Sequence, residues 1–287
     1  MKIKLSVILL ILLVTITTSH IFASENIPEY LSDKGTGIAT SMFGTYVRHK
    51  EILIYPFYEF YYDHNAEYDP SEMDFGVEAD YYGKHIAHEG LIYLAYGITD
   101  WIMVEFEAAG ITAKQWRSKK DTTSTMPDPY DESGLGDVEG QIRWRYNREK
   151  EKVPEFFNYF EVVFPLQPDR KLIGTSAWEF KLGLGITKGF KFGTLTGRFA
   201  VEYDGEDKKV ETGEYAFEYL RKISDHFKFF GMFEGSQDEL ELIVEGQIHV
   251  NKNIYFKIGS GFGITPKATD IAPEVGVMFS YRFGGED

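Results

Sequence analysis

The chain has 287 residues, with 30 Lys and Arg against 45 Asp and Glu, a formal net charge of −15, and no cysteine. The acidic surplus excludes nucleic acid as a partner, because phosphates demand a basic footprint. The lack of cysteine excludes disulfides, so an exported domain of this size must hold together without covalent cross-links.

Residues 1–23 read as a secretory signal. Lys2 and Lys4 precede a run from Leu5 to Ile16 that is apolar apart from Ser6 and Thr15. Small and polar residues follow, with cleavage expected between Ala23 and Ser24. The apolar run is too short for a convincing spanning helix, and no cysteine follows it to direct lipoprotein processing. Without the signal, 28 basic residues face 45 acidic ones, a net charge near −17. No second run of about 18 apolar residues exists, so no helical span is expected in the mature chain. Ser24 to Lys50 contains Gly35, Gly37, Gly44, Met42 and Phe43 and shows no clean alternation. It is expected to be a periplasmic segment or a plug inside a lumen.

From residue 51 to residue 287 the pattern is β. Tight turns are expected at Gly97-Ile98-Thr99-Asp100, Thr187-Lys188-Gly189, Ser224-Asp225 and Asn251-Lys252-Asn253. Longer polar stretches lie between them, from Thr112 to Ser133, Gln167 to Ser176, Asp204 to Thr212 and Thr265 to Asp270. Short connections alternating with long ones are the habit of an outer-membrane barrel, with tight turns inside and long loops outside. The intervening strands are expected at 51–62, 86–97, 101–110, 136–147, 156–165, 176–187, 193–203, 213–223, 226–235, 239–249, 253–263 and 273–283. That count of about twelve is even, as closure requires, and the stretch 75–83 is read as an external loop or an extension of the second strand.

The strand 239–249 shows the alternation most plainly. Leu240, Leu242, Val244, Gly246 and Ile248 share one face, and Glu239, Glu241, Glu245, Gln247 and His249 share the other. In a soluble sandwich the apolar face would meet a core, whereas in a membrane barrel it meets lipid and the charged face meets the lumen. Aromatics make up 16% of the chain and glycine is plentiful, and aromatics stand at both ends of many apolar faces. These features favour an all-β transmembrane barrel of the up-and-down antiparallel kind in a Gram-negative outer membrane. On that facing the expected lumen lining is acidic at Glu105, Glu107, Asp137, Glu139, Glu161, Glu179, Glu202, Glu218, Glu239, Glu241, Glu245 and Glu274. It is basic at Arg143, Arg145, Lys181, Arg198, Lys228, Lys257 and Arg282, with His249 near the base.

Gly134-Leu135-Gly136-Asp137-Val138, with the Arg143-Trp144-Arg145-Tyr146 strand after it and Tyr96-Gly97-Ile98-Thr99-Asp100 before it, resembles a known family. It is the bacterial outer-membrane β-barrel family labelled meta-pathway phenol-degradation protein, and the likeness runs from about Phe57 to Phe283. Tyr281-Arg282-Phe283 also resembles the aromatic signal read by the barrel-assembly machinery, although Gly284 to Asp287 follow it here. The resemblance implies a transport-like barrel among outer-membrane lipids and names no ligand.

The leading expectation is a passive channel for small solutes or hydrophobic compounds. Twelve strands lie between barrels filled by side chains and barrels with an aqueous pore, so an acidic lumen would favour cations if open. If the lumen charges pair with one another, the barrel is instead plugged and structural. A barrel-embedded enzyme is the third possibility. His64 beside Asp63 and Glu67, and the pair His85 and His88, are its candidate groups near the mouth. Lone loop histidines are more often solvated, so no catalytic residue, metal or cofactor is expected.

Overall fold

The structure is a computed structural model and describes residues 31, 33, 47–76, 78–206 and 208–284. The expected signal sequence and most of the segment from Ser24 to Lys50 lie outside the described residues.

Twelve antiparallel strands close into one barrel, each bonded to its neighbours in chain order and β1 bonded to β12. They are β1 (Glu51–Tyr68), β2 (Tyr81–Gly97), β3 (Ile102–Gln115), β4 (Tyr130–Asn147), β5 (Glu155–Phe164) and β6 (Glu179–Phe190). They continue as β7 (Gly193–Asp204), β8 (Lys209–Lys222), β9 (Phe227–Ser236), β10 (Glu239–Asn251), β11 (Ile254–Gly263) and β12 (Ile271–Arg282). Closure leaves no unpaired edge, which is what a sheet needs if lipid is to surround it.

Side-chain alternation divides the wall into two faces. Outward, Ile92, Phe106, Ile142, Leu184, Phe217 and Ile258 are all at least 40% exposed, an apolar surface that only lipid would cover. Trp101, Tyr146, Phe192 and Tyr281 ring the end that carries the termini, as aromatic girdles do at a membrane interface. The protein is therefore an outer-membrane β-barrel. Connections at the end with the termini include the two-residue turns 191–192 and 252–253, whereas 69–80, 116–129 and 165–178 lie at the other. Short turns belong to the periplasmic side and long loops to the outside.

Two expectations need correction. Thr187-Lys188-Gly189 is not a turn: it lies within β6, and the chain reverses at Lys191-Phe192. The Thr187 and Thr196 hydroxyls bond 3.1 Å apart inside the wall, and Phe190 and Phe192 stack at 5.1 Å outside it, so the hairpin runs three residues further. The outer ends of β1, β3, β4 and β8 also extend beyond the expected limits, and each extension begins at a β-bulge. The ladder shifts between Asp63 and Ala66, between Ala108 and Gly110 opposite Leu135 to Val138, and between Phe199 and Val201. The inserted residue swaps the inward and outward phases.

Inside, the periplasmic half of the barrel is packed. Leu53, Tyr55, Met103, Phe157, Tyr159 and Tyr255 form a buried cluster joined by Val47 from just before β1. Inward glycines make room for the rings. A Cβ on Gly183 would lie 2.0 Å from Tyr159, and one on Gly185 would lie 2.1 Å from Phe157, their direct cross-strand partners.

Candidate functional site

Strand register brings carboxylates to one level above that packed half. Glu274 of β12 stands opposite Glu59 of β1, and Glu59 opposite Glu89 of β2. Glu107 of β3 stands opposite Glu139 of β4. Directly opposed like charges destabilise a sheet, so these positions oppose folding unless something offsets them.

Part of the offset is internal. Arg143, fully buried, reaches Glu105 at 3.1 Å and the Gln141 side-chain oxygen at 3.2 Å. Lys181 lies 3.0 Å from both Glu161 and Glu214, and Arg198 bonds Glu214 and Glu234. Lys257 pairs with Glu245 at 2.8 Å and sits 4.6 Å from the centre of the Tyr55 ring. The Tyr55 hydroxyl donates to Glu274. Glu59, Glu107, Glu139, Glu239 and Glu241 have no cationic side chain within ion-pair distance among the described residues.

These groups line a cavity of about 480 Å³ in the outer half of the barrel. Phe230, Met232 and Ile243 give it one apolar wall. Its floor is the aromatic cluster below, and Tyr93 belongs to both. Over the other side of the mouth the β5–β6 connection folds inward. Glu132 accepts hydrogen bonds from the backbone N–H of Lys171 at 2.9 Å and Leu172 at 2.8 Å, and Ile173 buries against Ala87 and Ala113.

The residues expected in the lumen divide into groups. Glu105, Glu107, Glu139, Glu161, Lys181, Glu239, Glu241, Glu245, Lys257 and Glu274 line the cavity. Arg143 and Arg198 are buried as counter-ions to it. Asp137 sits at the β4 bulge, and Glu179, level with the loop beside it, accepts a hydrogen bond from the Thr175 hydroxyl at 3.2 Å. Glu202 follows on β7, opposite Lys181.

At the periplasmic end Arg145 pairs with Glu155 at 3.0 Å, and Arg282 is exposed with its Nε donating to the His49 carbonyl. Glu218, Lys228 and His249 are buried there, with His249 stacked on Tyr255 at 4.6 Å. Asp33 is buried beside them, accepting the Lys222 backbone N–H at 2.5 Å. Tyr281 and Phe283 face outward with their rings in edge contact at 4.9 Å.

Sequence reading missed Glu59, Glu89, Glu214 and Glu234. Tyrosines and phenylalanines occupy both faces of β1 and hide the phase around Glu59, and Glu214 adjoins a bulge. The signal available was Glu59's even spacing from Glu51.

Of the histidines named from sequence, His85 turns inward to Gln115 at 3.1 Å and His88 outward to the Tyr58 hydroxyl at 2.7 Å, so the two do not converge. His64 does gather ligand-type atoms: with Asp63 and Asp270 it could hold a cation, all three within 4.8 Å. The His64 backbone and ring already occupy Asp270, and the Asn65 N–H occupies Asp63 at 2.7 Å. Burial would raise the Asp270 carboxyl, but these bonds from His64 hold it below its usual range.

Fold and interior together define an outer-membrane β-barrel of twelve strands, with a cavity lined by glutamates, Lys181, Lys257 and apolar side chains. No protein-family model matches the chain, and no curated protein matches it in sequence. Among solved structures it is similar to the COG4313 outer membrane channel from Pseudomonas putida F1, with a TM-score of 0.63 at 12% identity over 85% of this chain and 100% of that one. The translocator domain of autotransporter NalP from Neisseria meningitidis follows at a TM-score of 0.45 and 10% identity, over 84% of this chain and 91% of that one. The first likeness shows a shared fold, and the second carries no argument.

Proposed function

We propose that the protein is an outer-membrane channel for small solutes whose acidic vestibule favours cations over anions. The observation that carries this reading is the set of five carboxylates without ion-pair partners around a cavity in the outer half of the barrel. Their mutual repulsion is an energetic cost that an entering cation relieves, and field focusing in a low-dielectric wall raises the local cation concentration. The shared fold with a barrel called an outer membrane channel supports the reading.

Reversal potentials in planar bilayers across a KCl gradient test it. The wild-type barrel should pass cations preferentially, and Glu59→Gln, Glu107→Gln and Glu241→Gln together should bring the potential toward zero. Anion preference, or no change in the triple variant, would refute it.

A second reading is a closed structural barrel. The packed periplasmic half, with Tyr55, Phe157, Tyr159 and Tyr255 almost without exposure, favours it, as does Asp33 held at the inner end. Absence of conductance steps across salts and voltages would select this reading. Tyr281 and Phe283 would then still serve as the outward aromatic signal for assembly.

A further inference from the structure

Outward-facing residues on the β1–β2–β3 wall change character near the outer rim. Gly83 and His85 turn inward, so Lys84 between them faces out, as Tyr82 does. Lys84 stands twelve positions from Tyr96, the outward aromatic near the periplasmic end of the same strand. At about 3.3 Å per residue and a tilt near 40°, that is roughly 30 Å along the barrel axis. About 30 Å is the thickness of the hydrocarbon layer, so Lys84 lies at the level of the outer-leaflet headgroups.

The lysine is held in place there. Its ammonium lies 4.4 Å from the centre of the Trp116 ring and 5.8 Å from that of Tyr62. The backbone N–H of Trp116 donates to the Lys84 carbonyl at 2.8 Å, fixing the two side chains together. Lys114, two residues before Trp116, is exposed on the same face. A diagonal cross-strand pair of this kind stands about 7–8 Å apart, with its Cβ atoms somewhat closer, a span that one phosphate bridges with two long side chains.

Neither Lys84 nor Lys114 makes an ion pair among the described residues. Glu67 is taken by the Tyr82 hydroxyl at 3.1 Å and Lys267 at 3.1 Å. Asp131 stands opposite Lys114 in the ladder, without an ion pair, and offsets part of its charge. Lys119 and Lys120, exposed in the connection that follows Trp116, add two more positive charges.

We propose that this patch binds the phosphate of an outer-leaflet lipid headgroup. Lys84 and Lys114 grip the phosphate, while Trp116 and Tyr62 pack against the sugar or glycerol beneath it. Aromatic rings at the interface and clustered ammonium groups are the chemistry that recognises an anionic lipid. The site is on the outside of the wall, so it stands or falls separately from conduction through the lumen.

Native mass spectrometry of the purified full-length barrel after incubation with lipid A micelles tests it. Wild type should retain lipid A and should not retain the same lipid stripped of its phosphates. Lys84→Gln with Lys114→Gln should lower retention about tenfold, with heat-modifiable gel mobility showing that the barrel is folded. If the double variant is not recovered, each single substitution should still lower retention, and Lys84→Arg should preserve it. Equal retention by the variants or by the dephosphorylated lipid would overturn the proposal. So would complete displacement of lipid A by millimolar inorganic phosphate, which would mark a general anion site.

Discussion

Arg143 has no solvent exposure, and its guanidinium is set between Glu105, Gln141 and the ring of Phe157. Removing one partner of a buried pair leaves an uncompensated charge, which costs about 3–5 kcal/mol. Arg143→Met should lower stability by that amount in urea unfolding from lipid vesicles, and adding Glu105→Gln should restore more than half. At the outer surface, Asp121 is buried in the β3–β4 connection. Burial alone would raise its carboxyl. The Ser124 hydroxyl and backbone N–H, with the Tyr68 hydroxyl, hold it below the usual carboxylate range instead. A carboxyl depressed by folding stabilises above its unfolded value near about 3.9, and that contribution is lost as pH falls through the folded value. Protease nicking of the 116–129 connection should therefore rise only in strong acid for wild type. In Asp121→Asn it should already be elevated at neutral pH.

Elements show where sequence reading stops. The twelve strands were legible because hydrophobic alternation has a period of two wherever one side meets lipid and the other does not. Strand limits expected at 62, 110, 136 and 213 fall at bulges, where one inserted residue reverses the phase and the pattern looks like a loop. The ladder in fact continues to Tyr68, Gln115, Tyr130 and Lys209. Glycines inside β6 carry a second lesson. In sequence Gly183 and Gly185 are gaps between lipid-facing Leu182, Leu184 and Ile186, and in the fold they are seats for the Tyr159 and Phe157 rings. Both rings are about 1% exposed. Gly183→Ala should overpack that contact and destabilise the barrel by about 1–3 kcal/mol, measured by the same vesicle unfolding. Leu182→Ala on the lipid side should not strain it.

The whole barrel combines a glutamate-lined outer cup with an inner half packed by the aromatic cluster of Tyr55, Phe157, Tyr159 and Tyr255. Conduction, on the proposed reading, is limited by the lower half. Tyr159→Ala with Phe157→Ala should widen the constriction and raise single-channel conductance several-fold, while cation preference, set above it, persists. Unchanged conductance would place the resistance elsewhere, with the inward β5–β6 connection and its Glu132 tether the next segment to alter. Surface charge is screened within about 10 Å at 0.1 M salt. Cation preference should thus weaken toward 1 M KCl without vanishing, because the cup is partly enclosed.

Sequence by itself determined the class of fold and the number of strands. Those follow from local alternation and from connections long on one side and short on the other, both written within a few neighbouring residues. Tertiary structure decided the rest. Whether Glu59 meets Glu89, whether Lys181 reaches Glu161 and Glu214, and how far Tyr55 and Tyr159 fill the lower lumen depend on register, bulges and closure of β1 on β12. Those relations join residues as distant as Glu59 and Glu274, and no local pattern encodes them.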